Sequence, residues 1–298
     1  MRKITILGFA LVVLFLISVF VTNGDSSFSS AQPTADSWHM FHHDLKHTGN
    51  SNSAGPDTNE TLWKFNTGGQ VDSPVVVGGV VYVGSYDRKV YALNASSGSR
   101  IWSYSTGGNV LSSAAVAEGN VFVGSEDNRV YALTATTGKH IWNYTTGYYV
   151  DSSPVVSDGV VYVASEDKKV YALDASNGSL IWNYTTDGII MLSSPAVANG
   201  MVYVGSMVGT VYALNATIGE YSWSFKTGDM VMLSSPAVND GTVYVGSYDH
   251  FVYAFGSSRG SQTFDSDVSG LVLLVIGSLA VLFTAVVLAV VFSRKRQA

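Results

Sequence analysis

A five-residue pattern of Val, aromatic, Val, small residue and Ser begins at Val81, Val121, Val161, Val202 and Val243, at intervals of 40, 40, 41 and 41 residues. A fixed period of this length means that one supersecondary unit is stacked on copies of itself, so a fold with a single irregular core is excluded. Each repeat holds three further strand-like segments. Val-Tyr-Ala-Leu/Phe follows at Val90, Val130, Val170, Val211 and Val252. A third segment carries Trp63, Trp102, Trp142, Trp182 and Trp223, each with an aromatic two residues on, at Phe65, Tyr104, Tyr144, Tyr184 and Phe225. A fourth starts near Ser73, Ser113, Ser153, Ser194 and Ser235 and continues with small and β-branched residues.

β-Branched and aromatic residues in period-2 runs specify strands, and helical solenoids are excluded on the same ground. Asp87, Asp127, Asp167 and Asp249 fall in the tight link between the second and third strands, and Gly98, Gly138, Gly178 and Gly219 mark the turn into the Trp strand. Four-stranded units of about 40 residues, each burying both faces against its neighbours, define an all-β fold of the β-propeller type. The last repeat has three strands, ending at Phe255, and a Ser-rich stretch follows. An orphan Trp strand at residues 62–67 precedes the first complete repeat. Pairing the orphan with the last three strands predicts five four-stranded blades, closed by the N-terminal Trp strand, with no free edge.

The averages hide three environments. Mean hydropathy is +0.22 with 47% hydrophobic residues, but two apolar runs, Ile4 to Val21 and Leu271 to Phe292, account for the excess. Residues 1–31 read as a signal peptide or an N-terminal anchor, with Ser29-Ser30-Ala31 as a small-residue cleavage site. The uncharged run from Leu271 to Phe292 is long enough to span a bilayer, and Arg294-Lys295-Arg296 places that end in the cytoplasm. Both readings of the N-terminus put the propeller outside the cell membrane. The expected order is 1–31, a lead-in at 32–60, the propeller at 61–255, a linker at 256–269, a transmembrane helix at 270–292 and a basic tail at 293–298.

Five of the sixteen basic residues flank the apolar runs, leaving eleven against all twenty-two acids, about −11 for the displayed part. Nucleic acid is therefore excluded as a partner. With no cysteine there is no disulfide framework, thiolate metal site, Cys nucleophile or lipoprotein anchor. Asn-x-Ser/Thr sequons at Asn59, Asn94, Asn143, Asn177, Asn183 and Asn215 mark a surface suited to a glycoprotein.

The run from Ala92 to Trp102, ALNASSGSRIW, resembles the tryptophan-docking repeat of the PQQ-like (pyrroloquinoline quinone) β-propellers, and it recurs at Ala132–Trp142, Ala172–Trp182 and Ala213–Trp223. WHMFHHDLKHTG at residues 38–49 is similar to the lead-in of exported members. The resemblance implies two kinds of function. Quinoprotein dehydrogenases of this superfamily have larger, commonly eight-bladed rings, and hold calcium or a lanthanide by Glu, Asn and Asp, with an Asp base and often adjacent disulfide-linked cysteines. Other members are scaffolds, including outer-membrane assembly factors. Five blades and no cysteine depart from the dehydrogenase pattern, so PQQ with calcium is the alternative and a non-catalytic role the main expectation.

Candidate sites follow from residue type and from where the repeats differ. His42, His43, His47 and Asp44, with His39, form the cluster whose composition suits a divalent ion. The alternative is a hydrogen-bonded cap against the propeller. The pairs Ser112/Ser113, Ser152/Ser153, Ser193/Ser194 and Ser234/Ser235 face the central channel, either satisfying backbone groups or meeting a ligand. No G-x-S-x-G elbow supports Ser-His-Asp catalysis. Tyr148, Tyr149, Ile190, Met191, Met207, Met230 and Met232 fall in links and turns expected on one face. There they form either a protein- or ligand-binding patch or a plug of the channel mouth. The five repeated Trp are structural. The expected function is a binding scaffold on the outside of a membrane, the alternatives being a quinoprotein-like oxidoreductase or sensor and a structural cell-envelope protein.

Overall fold

The computed structural model describes residues 39–49, 51 and 53–256. The expected signal or anchor, membrane span and basic tail lie outside the described residues. Among the described residues no helix is long and apolar enough to cross a membrane.

The repeat folds as read. Blade 1 comprises β1 (Val75–Val77), β2 (Val80–Ser85), β3 (Lys89–Asn94) and β4 (Arg100–Ser105), and blade 2 comprises β5 (Ala115–Ala117), β6 (Asn120–Ser125), β7 (Arg129–Thr134) and β8 (His140–Thr145). Blade 3 holds β9 (Val155–Ser157), β10 (Val160–Ser165), β11 (Lys169–Asp174) and β12 (Leu180–Thr185), and blade 4 holds β13 (Ala196–Ala198), β14 (Met201–Gly205), β15 (Thr210–Asn215) and β16 (Tyr221–Lys226). Blade 5 is β17 (Ala237–Asn239), β18 (Thr242–Gly246) and β19 (Val252–Phe255). All pairings are sequential and antiparallel, and the third and fourth strands share a register shift at the same step in blades 1 to 4.

Burial within blades 1 to 4 follows position. The second and third strands are buried along most of their length because neighbouring blades cover both faces, whereas the fourth strand presents mainly its Trp inward. Each Trp reaches the next blade. Trp63, Trp102, Trp142 and Trp182 donate their indole N–H to the carbonyls of Ala95, Ala135, Ala175 and Ala216 at 2.8–2.9 Å. A buried indole needs such an acceptor. Glycine is required at the turn beneath the ring on two counts. Gly138 has φ +67°, and a Cβ there would lie 2.6 Å from the Trp102 ring; Gly98, Gly178 and Gly219 repeat the arrangement with Trp63, Trp142 and Trp182. Trp223 packs on Tyr203 and Phe255 at 5.9 and 5.7 Å between ring centres.

The turn acids are structural too. Asp87, Asp127, Asp167 and Asp249 each accept a hydrogen bond from the Tyr four residues on, and the last three also accept from Gly107, Gly147 and Gly228. Blade 4 differs: Val208 stands at the position of the turn Asp. Asp187 stands where Gly107, Gly147 and Gly228 stand in the other links, and it accepts from Thr210 and Ser206.

Closure departs from the sequence expectation. Blade 5 has three strands, and residues 61–67 form no strand. Among the described residues no backbone hydrogen bond joins that segment to β19. In blades 1 to 4 the aromatic of the second strand lies 5.8–5.9 Å from its blade's Trp, but Tyr244 and Trp63 make no such contact. Among the described residues the five blades therefore form an arc whose two end blades are not joined. Strand counting carries no information on how the end blades meet, which the packing between blades decides.

Interior indoles carry more of the stability than the terminal one. Trp142→Ala is expected to cost about 3–5 kcal/mol, and Trp63→Ala, docked on one flank, clearly less, as read by chemical denaturation of the two variants side by side.

Candidate functional site

One face of the arc is built from the turns between second and third strands and the links that enter each blade. Backbone hydrogen bonds tie them together at 2.8–2.9 Å: Tyr86 N–H to Gln70 O, Glu126 to Asn109, Glu166 to Tyr149, Met207 to Ile189 and Tyr248 to Met230. Each blade thus presents a pair of side chains from repeat positions that differ along the chain. Blades 2 and 3 present Glu126 with Asn109, whose amide donates to the carboxylate at 2.7 Å, and Glu166 with Tyr149. Blades 4 and 5 present Met207 with Ile189, and Tyr248 with Met230.

Six of the seven residues read as a binding patch lie on this face. Tyr148 is exposed and stacks on the half-buried Tyr149 at 4.4 Å, and Met191, Met207, Met230 and Met232 are half-buried. Ile190 does not belong to the patch. It is 1% exposed and occupies the step taken by Val110, Val150 and Val231, whose side chains are fully buried. Ile190 is a plug between blades, and its exposed neighbour Ile189 takes the outward place.

Acids on the same face escaped the sequence reading. Asp151 is 7% exposed, and burial first, then the charges of Glu166 and Glu126, push its carboxyl up to about 7. Burial also raises Glu166, and raises Asp72 against hydrogen bonds from Ser73 and Ser113. Glu126, Asp151 and Asp72 all act on the Tyr86 hydroxyl, which places carboxylates of three blades around one mouth. The available signal was the change of type at fixed repeat positions: Glu126 and Glu166 stand where Tyr86, Met207 and Tyr248 stand, and Asp72 and Asp151 where Leu111 stands.

The His cluster forms a cap. The carbonyls of His39, Leu45 and Lys46 accept from the backbone N–H of Val116, Val197 and Val238, so the segment bridges the innermost strands β5, β13 and β17. Met40 lies in the hydrophobic core with blades 2 to 4. Asp44 accepts from Lys46 N–H and from both the backbone and hydroxyl of Thr48; burial raises its carboxyl, but these bonds outweigh it and the net shift is downward. His42 stacks on Phe41 at 3.9 Å, and His43 Nδ1 is 3.9 Å from Asp44. His47 is buried, and its Nδ1 lies 2.9 Å from Pro236 O, an acceptor, so Nδ1 carries the proton of the neutral ring. Among the described residues no three His, Cys, Asp or Glu side chains converge to hold a metal ion.

The serine pairs stitch the blades. Ser113, Ser153 and Ser194 donate their backbone N–H to the hydroxyls of Ser153, Ser194 and Ser235 at 2.9–3.0 Å, and Ser112 and Ser152 bond their own second strands.

Among the described residues no assembled cation site for PQQ with calcium is present. A flat cofactor needs an open chamber at the inner strands, and the lead-in bridges them there. At the mouth the Asn109 amide donates to Glu126, and burial with the charges of Glu166 and Glu126 raises the Asp151 carboxyl.

Four-stranded antiparallel blades, stacked through docked Trp, define a protein of the β-propeller class. A family model described as outer membrane protein assembly factor BamB matches residues 52–189, 145–270 and 187–296, overlapping as expected when a repeat slides along itself. The chain belongs to this PQQ-repeat family. No curated protein matches it in sequence. Among solved structures, BamB from Moraxella catarrhalis is similar with a TM-score of 0.55 at 20% identity, covering 67% of this chain and 61% of that one. The quinohemoprotein alcohol dehydrogenase ADHIIG from Pseudomonas putida HK5 gives 0.59 at 20%, covering 74% and 46%, and the computationally designed Ika8 protein 0.57 at 17%, covering 63% and 58%. These likenesses are of fold, and the chain spans between about half and three fifths of the length of those structures.

Two titrations follow with opposite sign. Asp151 is raised, so the unfolded chain loses this proton first and the group's contribution falls as pH rises from about 4 to about 7. Asp151→Asn should gain stability relative to wild type across that window, read by thermal melting. Burial lowers His47 to about 4, so its contribution is lost as pH falls from about 6.5 to about 4. His47→Gln should remove that acid-side loss in the same assay.

Proposed function

We propose that this chain is a protein-binding scaffold, anchored by the apolar run that ends at Phe292 and displayed outside the cell membrane. The observation that carries the reading is the turn face. Its repeated polar positions satisfy one another within the blades, while the positions that vary between blades gather half-exposed Met and Tyr side chains on one sector and carboxylates on the adjoining one. Unbranched Met adapts to partners of different shape, and carboxylates at the rim favour basic groups. The partner chemistry is therefore an extended protein segment with apolar and basic side chains. Membership of a family described by an assembly factor supports a scaffold. Catalysis is not part of the proposal, because the channel serines are spent on the blade-to-blade ladder and the His cluster on the cap.

The reading is tested by crosslinking the full-length chain to its neighbours in the native membrane, then measuring the captured partner's affinity. Met230→Ser/Met232→Ser should weaken binding roughly 10-fold or more with an unchanged melting temperature, and added salt should weaken it further. Unchanged affinity in the variant would remove the turn face as the binding site. Protease added to intact cells should cleave the propeller if it is displayed outside.

A further inference from the structure

The two flanks of the arc complement each other. Blade 1 joins blade 2 by presenting Val75, Tyr82, Val90 and Trp102 to Val121, Val123, Leu133 and Ala135, and this apolar interface recurs along the arc. At the start of the arc, Val81, Val83 and Leu93 of blade 1 offer the receiving half of that interface with no blade before them. Trp63 and Phe65 already lie on them: the indole is bonded to Ala95 O, and Phe65 packs on Tyr91 at 5.5 Å, as Tyr104 does on Tyr131 at 5.8 Å. Residues 61–67 thus sit where the fourth strand of a preceding blade would sit. An open groove of about 310 Å³ lined by Trp63, Phe65, Val76 and Val81 remains beside them.

The other end lacks what this end has in surplus. Among the described residues blade 5 has no fourth strand, and nothing covers its presenting face. Val252 is 78% exposed where Val90, Val130, Val170 and Val211 are fully buried, and Tyr244 is 41% exposed where Tyr82 and Tyr162 donate their hydroxyls to Ala135 and Ala216. The chain beyond Phe255 contains no tryptophan. An apolar free edge of this kind is a template for strand addition.

We propose that copies of this chain associate head to tail, residues 62–67 of one copy forming the fourth strand of blade 5 in the next. The contact repeats the interface already made between the blades and is heterologous, one surface meeting a different one. Register follows from β3 and β4, where Ala92, Tyr91, Val90 and Lys89 face Trp102, Ser103, Tyr104 and Ser105. Ala254, Tyr253, Val252 and Phe251 accordingly face Trp63, Lys64, Phe65 and Asn66 of the second copy.

The absence of cysteine makes the test clean. Full-length Asn66→Cys and Phe251→Cys, each exposed and each melting as wild type, are mixed and mildly oxidised. A control, Lys89→Cys/Ser105→Cys within blade 1, must form its internal disulfide under the same conditions. A reducible dimer that appears in the mixture and exceeds that in either variant alone supports the proposal, as does a ladder of dimers and higher species from the double variant Asn66→Cys/Phe251→Cys. A double variant that gives only an internally crosslinked monomer shows that the chain's own strand closes the ring and overturns the proposal. So does the absence of crosslinks when the control pair has reacted.

Discussion

The indole of each docked tryptophan, bonded through its N–H to an alanine carbonyl of the next blade and resting on a glycine that has no room for a Cβ, is the contact on which the arc depends. A four-stranded sheet of this size has two apolar faces and cannot bury either alone. The Trp supplies area and the hydrogen bond supplies direction, so the blades stack in one register. Zero cysteine is consistent with this arrangement, since covalent staples are unnecessary where every blade is held by its neighbours.

The same economy frees one face for binding. Turn acids, channel serines and Trp partners are repeated because they satisfy backbone and hydroxyl groups inside the blades. Blade 4 illustrates the constraint: the turn lost its Asp, and Asp187 on the adjoining link took over, keeping a carboxylate for Thr210 and Ser206. Positions outside this set are free to differ, and there Met, Tyr, Glu and Asp accumulate. Burial first, then the charges of Glu166 and Glu126, raise the Asp151 carboxyl, so holding this acid at the mouth has an energetic cost.

Strand order, the docking Trp, the glycine turns and the structural role of the turn acids and serines were legible in the sequence, because each depends on local spacing. Ile190 was misplaced although it follows Trp182 at the spacing at which Val110 and Val150 follow Trp102 and Trp142, because the apolar run Ile189-Ile190-Met191 masks that inward position. The carboxylate group was missed because Asp72, Glu126, Asp151 and Glu166 are far apart in the chain and meet only across the mouth of the channel. The lead-in was recognisable as a motif, but its bridging of β5, β13 and β17 was not.

By itself the sequence determined the blade: its four strands, its Trp anchor and the number of times it repeats, all of which are set by period and residue type within about 40 positions. Only the tertiary structure decided how blades add up. Met40 and Leu45 of the lead-in pack with blades 2 to 4, and Trp63 and Tyr244 lack the ring contact that Tyr82 makes with Trp102. Among the described residues, a ring predicted by counting strands is therefore an arc, with a docked Trp segment before its first blade and three strands in its last.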